Sequence, residues 1–270
     1  MTDPKERFSS RVDDYVRYRP GYPAALFEWL GAQGCFGAGR VVVDVGSGTG
    51  ILSRGLLEAA RGARVVAVEP NAAMRAAAEK ALAGRPRFES VDGSAEATGL
   101  GSASADLVIA AQAFHWFDPV RARVEFARIL RPAGLVALVW NQRRDSQLNR
   151  AYLEMLERFA SDYALVRESQ RSSEDKMRAF FAPVAPRMAT FDNEQRLDEA
   201  GFEGRLLSSS YAPPRGDPMH APILARAAEI FREHSQGGLV TIAYDTIVWY
   251  GGLASSGRSR EADHRKTERP

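Results

Sequence analysis

Cysteine is nearly absent from this sequence. Cys35 is the single one, which excludes an internal disulfide and a cysteine-cluster metal centre. Only four histidines are present, and no metal site is expected. No apolar run approaches the ~20 residues that a bilayer-spanning helix needs. Residues Met1 to Arg7 are polar and mixed in charge, so no signal peptide is expected, and a cytoplasmic setting with no membrane partner is the default. Charge of one sign is also missing, the formal net being +2. That surplus gathers in residues 254–270, where Arg258, Arg260, Arg265, Lys266 and Arg269 oppose Glu261, Asp263 and Glu268. This basic tail has almost no apolar content and is expected to be disordered. The core carries no continuous basic stripe and no Asn/Asp-Pro-Pro-Tyr tetrapeptide for a flipped base, which argues against nucleic acid as a partner.

What is present is enough chain, at 270 residues, for one large α/β domain with its own core. The stretch Val41-Val42-Val43-Asp44-Val45-Gly46-Ser47-Gly48-Thr49-Gly50-Ile51-Leu52 is the most informative. Its β-branched run predicts a buried parallel strand, and three glycines then break into a helix. Such a turn lets a ligand lie against backbone N–H groups and a helix N-terminus. A dinucleotide fingerprint wants G-x-G-x-x-G/A, but its third small position falls here on Ile51. Arg64 to Glu69 predicts a second buried strand ending on a carboxylate about twenty residues beyond the glycines, where a βαβ unit places a ribose-binding acid. An exposed acid at a strand end is the other reading of Glu69.

Ahead of the glycines, Arg17-Tyr18-Arg19-Pro20-Gly21-Tyr22-Pro23 stops any helix. It is either a surface elbow or an arm over a cofactor, with Tyr15 or Tyr18 facing a cation and Arg19 near a carboxylate. Further strands are expected at Arg87 to Val91, Asp106 to Ala111 and Leu135 to Asn141. The fourth would neighbour the first, so residues following Ala111, in Gln112-Ala113-Phe114-His115-Trp116-Phe117-Asp118, should face a bound ligand's reactive end. His115 is either a general base or a hydrogen-bonded structural imidazole. Pro119 to Leu130 predicts a helix with Val120, Val124, Ala127 and Leu130 or Ile129 at helical spacing. Residues 145–190 form an expected helical insertion, with a long amphipathic helix from Asp145 to about Ser169 and a shorter one around Met177 to Phe181. It would serve as a substrate lid or an oligomer contact. Asn193 to Ala200 is expected as the last core helix with a Gly201 stop, Ile223 to His234 as one more helix, and Arg205 to Tyr211 and Leu239 to Tyr250 as the final strands.

Asp44-Val45-Gly46-Ser47-Gly48-Thr49-Gly50 closely resembles the first motif of the class I methyltransferases that depend on S-adenosylmethionine (SAM). The Tyr-Arg-Pro-x-Tyr-Pro turn, Ala-x-His-Trp-Phe-Asp and Leu-x-Pro-x-Gly at Leu130 to Gly134 are similar to a small-molecule subgroup with the methyltransferase type 11 domain that includes trans-aconitate methyltransferase-like proteins. The resemblance spans Arg7 to about Leu253. It implies a Rossmann-like, doubly wound, seven-stranded, mostly parallel sheet with an antiparallel last strand and a helical insertion after the fifth. It implies SAM as cofactor, with S-adenosylhomocysteine as product, and a small-molecule acceptor methylated on oxygen or carbon by a monomer or homodimer. It places Pro70, Asn71 and Met74 beside the adenosine. In the family, the loop at Asp92-Gly93-Ser94-Ala95-Glu96 reads Gly-Asp-Ala-Glu and its aspartate accepts from adenine. Ser94 stands there instead, Asp92 is a candidate replacement, and the Ala95 N–H contact is unaffected. The expected cofactor residues are thus Tyr15, Arg19, Asp44, Gly46, Ser47, Gly48, Gly50, Glu69, Pro70, Met74, Ser94, Ala95, Glu96 and Gln112. His115 would be base for a hydroxyl or carbon acid, or would orient a carboxylate that needs none. Two rivals remain, an NAD(P)-dependent oxidoreductase and a non-catalytic protein on the same fold.

Overall fold

The computed structural model describes residues 16–60, 62–161, 163, 173–209 and 211–253. Tyr15 and the tail from 254 lie outside them. A helix, α1 (Ala24–Ala32), leads into β1 (Val41–Val45), α2 (Ile51–Ala59), β2 (Arg64–Val68), α3 (Ala72–Ala81), β3 (Phe88–Val91) and β4 (Ala105–Ala111). After a 3₁₀ turn at Phe114–Trp116 come α4 (Pro119–Ile129), β5 (Leu130–Arg143), α5 (Gln147–Phe159) and α6 (Ser173–Phe181). The chain then runs through β6 (Arg187–Leu197), α7 (Glu199–Leu207), α8 (His220–His234) and β7 (Val240–Gly251).

The seven strands form one sheet in the order β3-β2-β1-β4-β5-β7-β6. β7 alone runs against its neighbours, pairing antiparallel with both β5 and β6. The expected fold class is the observed one. β1 lies between β2 and β4, parallel to both, so the strand order reverses there and a crevice opens beyond the C-terminal strand ends.

Burial on both faces explains the near-continuous Val/Ile/Leu runs. Val43, Val45, Val66 and Val68 pack against Phe114, Phe126 and Phe180 on one face, while Val42, Val65, Leu107 and Ile109 pack against Leu26, Leu30, Leu52 and Leu56 on the other. A third cluster joins α5, α7 and α8 to the start of β7 through Tyr152, Phe202, Ile230 and Tyr244.

Several expectations are corrected. Asn193 to Ala200 is not a helix, because Arg187–Leu197 is an edge strand bonded to β7 along its length. An edge strand has a single neighbour and half-exposed side chains, so its polar sequence gave no apolar run to recognise. Arg205 to Tyr211 is not a strand, since α7 runs to Leu207. Gly201 is no helix stop: it lies in the first turn of α7, where its N–H donates to the Asp198 cap at 2.7 Å. α5 ends at Phe159 rather than near Ser169, with Ala160 already extended. The insertion is shorter than expected because β6 starts at Arg187. On α4 the buried residues are Ala122, Glu125, Phe126 and Ile129, whereas Val120 and Val124 are 72% and 64% exposed.

Candidate cofactor site

β1 ends at the crevice and the chain bends through Gly46, Gly48 and Gly50, which have φ of +68°, +57° and +80°. Gly46 and Ser47 N–H groups both donate to the Val68 carbonyl, at 2.9 and 3.2 Å, which folds the loop over the end of β2. At Gly46 a Cβ would come within 2.7 Å of Ala113 Cβ, so only glycine allows this approach of the two strand ends. Gly50 has a different task. A Cβ there would lie 3.1 Å from Leu82 Cδ1 and 3.2 Å from Ala78 Cβ, so it seats α2 against α3.

Glu69, 7% exposed, follows β2 and closes the loop. Its Oε2 accepts from Gly48 N–H at 2.9 Å and its Oε1 from Asn71 N–H at 2.8 Å. Asn71 in turn caps α3, its side-chain oxygen accepting from Ala73 and Met74 N–H. Asp44 is 1% exposed and accepts from Ser53 Oγ at 2.6 Å. Burial pushes its carboxyl up to about 7, the Ser53 bond opposing and the Glu69 charge adding to the rise.

A cavity of about 480 Å³ occupies this crevice, within the ~300–1,000 Å³ usual for small-molecule and cofactor sites. Of the residues expected at a cofactor, Asp44, Gly46, Ser47, Gly48, Glu69, Pro70, Met74, Ser94, Ala95, Glu96 and Gln112 all line it. Ser94 pairs with Ala97 through backbone bonds of 3.0 and 3.2 Å, and Glu96 accepts from Asp118 N–H at 2.8 Å, tying the loop after β3 to the start of α4. Gln112 has φ of +54° and donates from Nε2 to the Asn141 carbonyl at 3.2 Å.

Other expected residues lie elsewhere. Gly50 is not at the cavity wall, and Tyr15 falls outside the described residues. Asp92 is not at the cavity wall, and its exposed carboxylate pairs with Arg75. Arg19 donates to the Ser208 carbonyl at 2.9 Å. Tyr18 packs on α7, where a Cβ at Gly204 would be 2.2 Å from its ring. The arm nonetheless reaches the cavity through Tyr22, held by Gln195 Nε2 on the Tyr18 carbonyl (2.8 Å) and by Asn141 and Asn193 Nδ2 on the Gly21 carbonyl (both 3.0 Å). Thr49 and Arg121 are lining residues that sequence reasoning missed, whereas Trp116 and Phe117, also at the wall, belong to the run after Ala111 expected to face a ligand.

His115 itself is not at the cavity wall. Its ring lies 4.7 Å from that of Trp116 and its Nδ1 is buried without a hydrogen-bond partner. Burial, then the charges of Arg19 and Lys176, push its pKa down to about 4, so the imidazole is neutral at pH 7.

The fold is the Rossmann-like one found in methyltransferases, with the strand order reversing beside β1 and an antiparallel seventh strand. Residues 43–138 match the family model described as methyltransferase domain. An uncharacterized methyltransferase of Mycobacterium bovis is 45% identical over 136 residues, 50% of this chain and 52% of the relative. One from Schizosaccharomyces pombe is 34% identical over 142 residues, 52% of this chain and 53% of that one. The chain thus spans about half the length of the curated relatives it matches. A solved structure from Anaeromyxobacter dehalogenans, provisionally named a type II methyltransferase, superposes with TM-score 0.66 at 28% identity, covering 87% of this chain and 98% of its own. Among the described residues no helix is long and apolar enough to cross a membrane.

Proposed function

We propose that this protein transfers a methyl group from SAM to a small-molecule acceptor. The observation that carries the reading is the convergence of the glycine bend, buried Asp44 and Glu69 on one cavity that the residues after β4 also line. The cavity size, a backbone approach that tolerates no Cβ at Gly46 and the two acids fit a nucleoside bearing a cationic amino-acid tail. Glu69 would hold the ribose hydroxyls, since a carboxylate has about four acceptor sites and can keep the loop while taking a sugar. Met74 and Ala95 would flank the adenine, and Asp44 would face the cationic end.

When bound, the cofactor supplies a methyl group already activated on a sulfonium. The protein's contribution is therefore alignment and exclusion of water, for which Tyr22, Gln112, Trp116 and Phe117 are placed. His115, neutral and with a pKa well below that of a good base at pH 7, suits orienting the acceptor better than taking its proton. Ile51, where a dinucleotide site wants a small residue, disfavours the oxidoreductase reading. Calorimetric titration with SAM, S-adenosylhomocysteine and NAD tests the assignment. Saturable binding of the first two is expected, and binding of NAD alone would refute it.

A further inference from the structure

Near the cofactor cavity stand two cations, Arg143 half-buried and Arg205 buried, and no acid pairs with either among the described residues. Arg143 stands at the end of β5, two residues beyond the Asn141 carbonyl that holds Gln112. Its guanidinium lies 4.4 Å over the Tyr152 ring, and its Nε and Nη2 are buried with no hydrogen-bond partner. Arg205 of α7 is 5% exposed. It donates from Nη1 to Ser209 Oγ at 3.2 Å, while its Nε is left unpartnered. The Tyr152 hydroxyl, on a side chain 1% exposed, is also without a partner. Among the described residues no carboxylate forms an ion pair with either guanidinium.

Buried charge of one sign is costly unless something compensates it. Here five separate elements, β5, α5, α7, β7 and the segment at Tyr211, bring two cations and three phenols together and leave donors unspent. Burial raises the Tyr211 phenol, but Arg143, Arg205 and Arg19 outweigh it and bring it down to about 8. The field in this place is strongly positive. Asn141, two residues before Arg143, holds Gln112 of the cavity wall and the Gly21 carbonyl of the arm, and Arg19 of the same arm donates to the Ser208 carbonyl, three residues beyond Arg205, which ties the cluster to the cavity.

We propose that Arg143 and Arg205, with the Tyr152 hydroxyl, form the recognition site for an oxyanion carried by the methyl acceptor. Carboxylate and phosphate share the required chemistry, a compact negative group that accepts several charge-assisted hydrogen bonds. The unused donors are what such a group would satisfy. This assignment rests on the methyltransferase reading and narrows it to anionic acceptors.

The test uses the full chain, with and without saturating S-adenosylhomocysteine, titrated calorimetrically with succinate and with inorganic phosphate. Saturable binding of one of them is expected, and the one that binds identifies the class. Arg143→Met and Arg205→Met should each weaken it about tenfold or more while leaving affinity for S-adenosylhomocysteine unchanged. Because an uncompensated buried charge is removed, neither variant should have a lower melting temperature. Tyr152→Phe, which keeps the ring under Arg143 and removes only the hydroxyl, gives the same readout should an arginine variant fail to fold. Failure of both anions to bind, or binding that none of the three variants weakens, overturns the site. Failure of S-adenosylhomocysteine to bind the wild type overturns the cofactor reading instead, and leaves the anion titration to be judged by itself.

Discussion

Asp44 lets the cost of a prepared site be measured. The carboxyl is buried at the end of β1 and its pKa stands at about 7, against 3.8 for the unperturbed group. At about 1.4 kcal/mol per pKa unit, ionising it in the folded state costs on the order of 4 kcal/mol. The folded protein binds more protons than the unfolded chain between these two values, so this group removes stability as pH rises from about 4 to about 7. Asp44→Asn keeps the shape and an oxygen able to accept from Ser53, but cannot ionise. The variant and the wild type should have similar stability below about pH 4. The variant should gain through the window and be more stable by about 1–4 kcal/mol above pH 7. Urea unfolding across that range measures the difference, in which other titrating groups cancel. SAM affinity should fall about tenfold or more, because a charge-assisted contact is worth about 1.5–3 kcal/mol. Wild-type binding near pH 7 should also release protons, seen as buffer-dependent heats. A stability difference that does not change with pH would refute the account of Asp44 as a carboxyl held out of water until a cation meets it.

Glu69→Gln keeps the shape but removes the charge and sets an NH2 against one of the two N–H donors of Gly48 and Asn71, and calorimetry should show SAM binding weakened about tenfold or more. Gly46→Ala puts a Cβ 2.7 Å from Ala113 Cβ at a left-handed φ; a loss of about 1–3 kcal/mol is expected by denaturant unfolding, with SAM binding impaired. Glu125 is held down to about 2, first by its Arg128 hydrogen bond and also by bonds from Thr98, against the opposing effect of burial. That stability is present above about pH 4.5 and lost as pH falls through about 2, so Glu125→Gln should be destabilised at pH 7 and match the wild type in strong acid. His115→Ala should leave SAM affinity unchanged. If the residue orients the acceptor, the variant should raise KM for it more than it lowers kcat, and a kcat loss with the pH profile of a lost base would restore the catalytic role.

The parallel half of the sheet was legible because a strand buried on both faces must be apolar throughout. Val41 to Val45, Arg64 to Val68 and Ala105 to Ala111 announce themselves, and the bend and acid follow from their ends. The antiparallel edge hid itself for the same reason. β6 has one neighbour and exposes alternate side chains, so Asn193 to Leu197 carries no strand pattern, and two glycines inside α7 disguise that helix. Gly204 is there because Tyr18 lies on it, a contact across 186 positions that no local window contains. The cavity wall was readable because its residues sit at fixed offsets from strand ends. Tyr22 was not singled out, since what directs it to the cavity is a set of amides on β5 and β6 that hold the arm by its carbonyls.

Nor could periodicity reveal the two arginines. In sequence Arg143 is one of two adjacent arginines, and its neighbour Arg144 makes the ordinary surface pairs with Asp192 and Asp245. One step along the chain at the end of β5 sends one guanidinium to acids in water and the other over the Tyr152 ring. The parallel with Asp44 is physical. Each is a charge that folding alone would do better without. A chain selected for stability alone would fill both places with neutral side chains, so opposite charges kept in dry surroundings argue for ligand groups of matching sign: a cationic tail for Asp44 and an anion for Arg143 and Arg205.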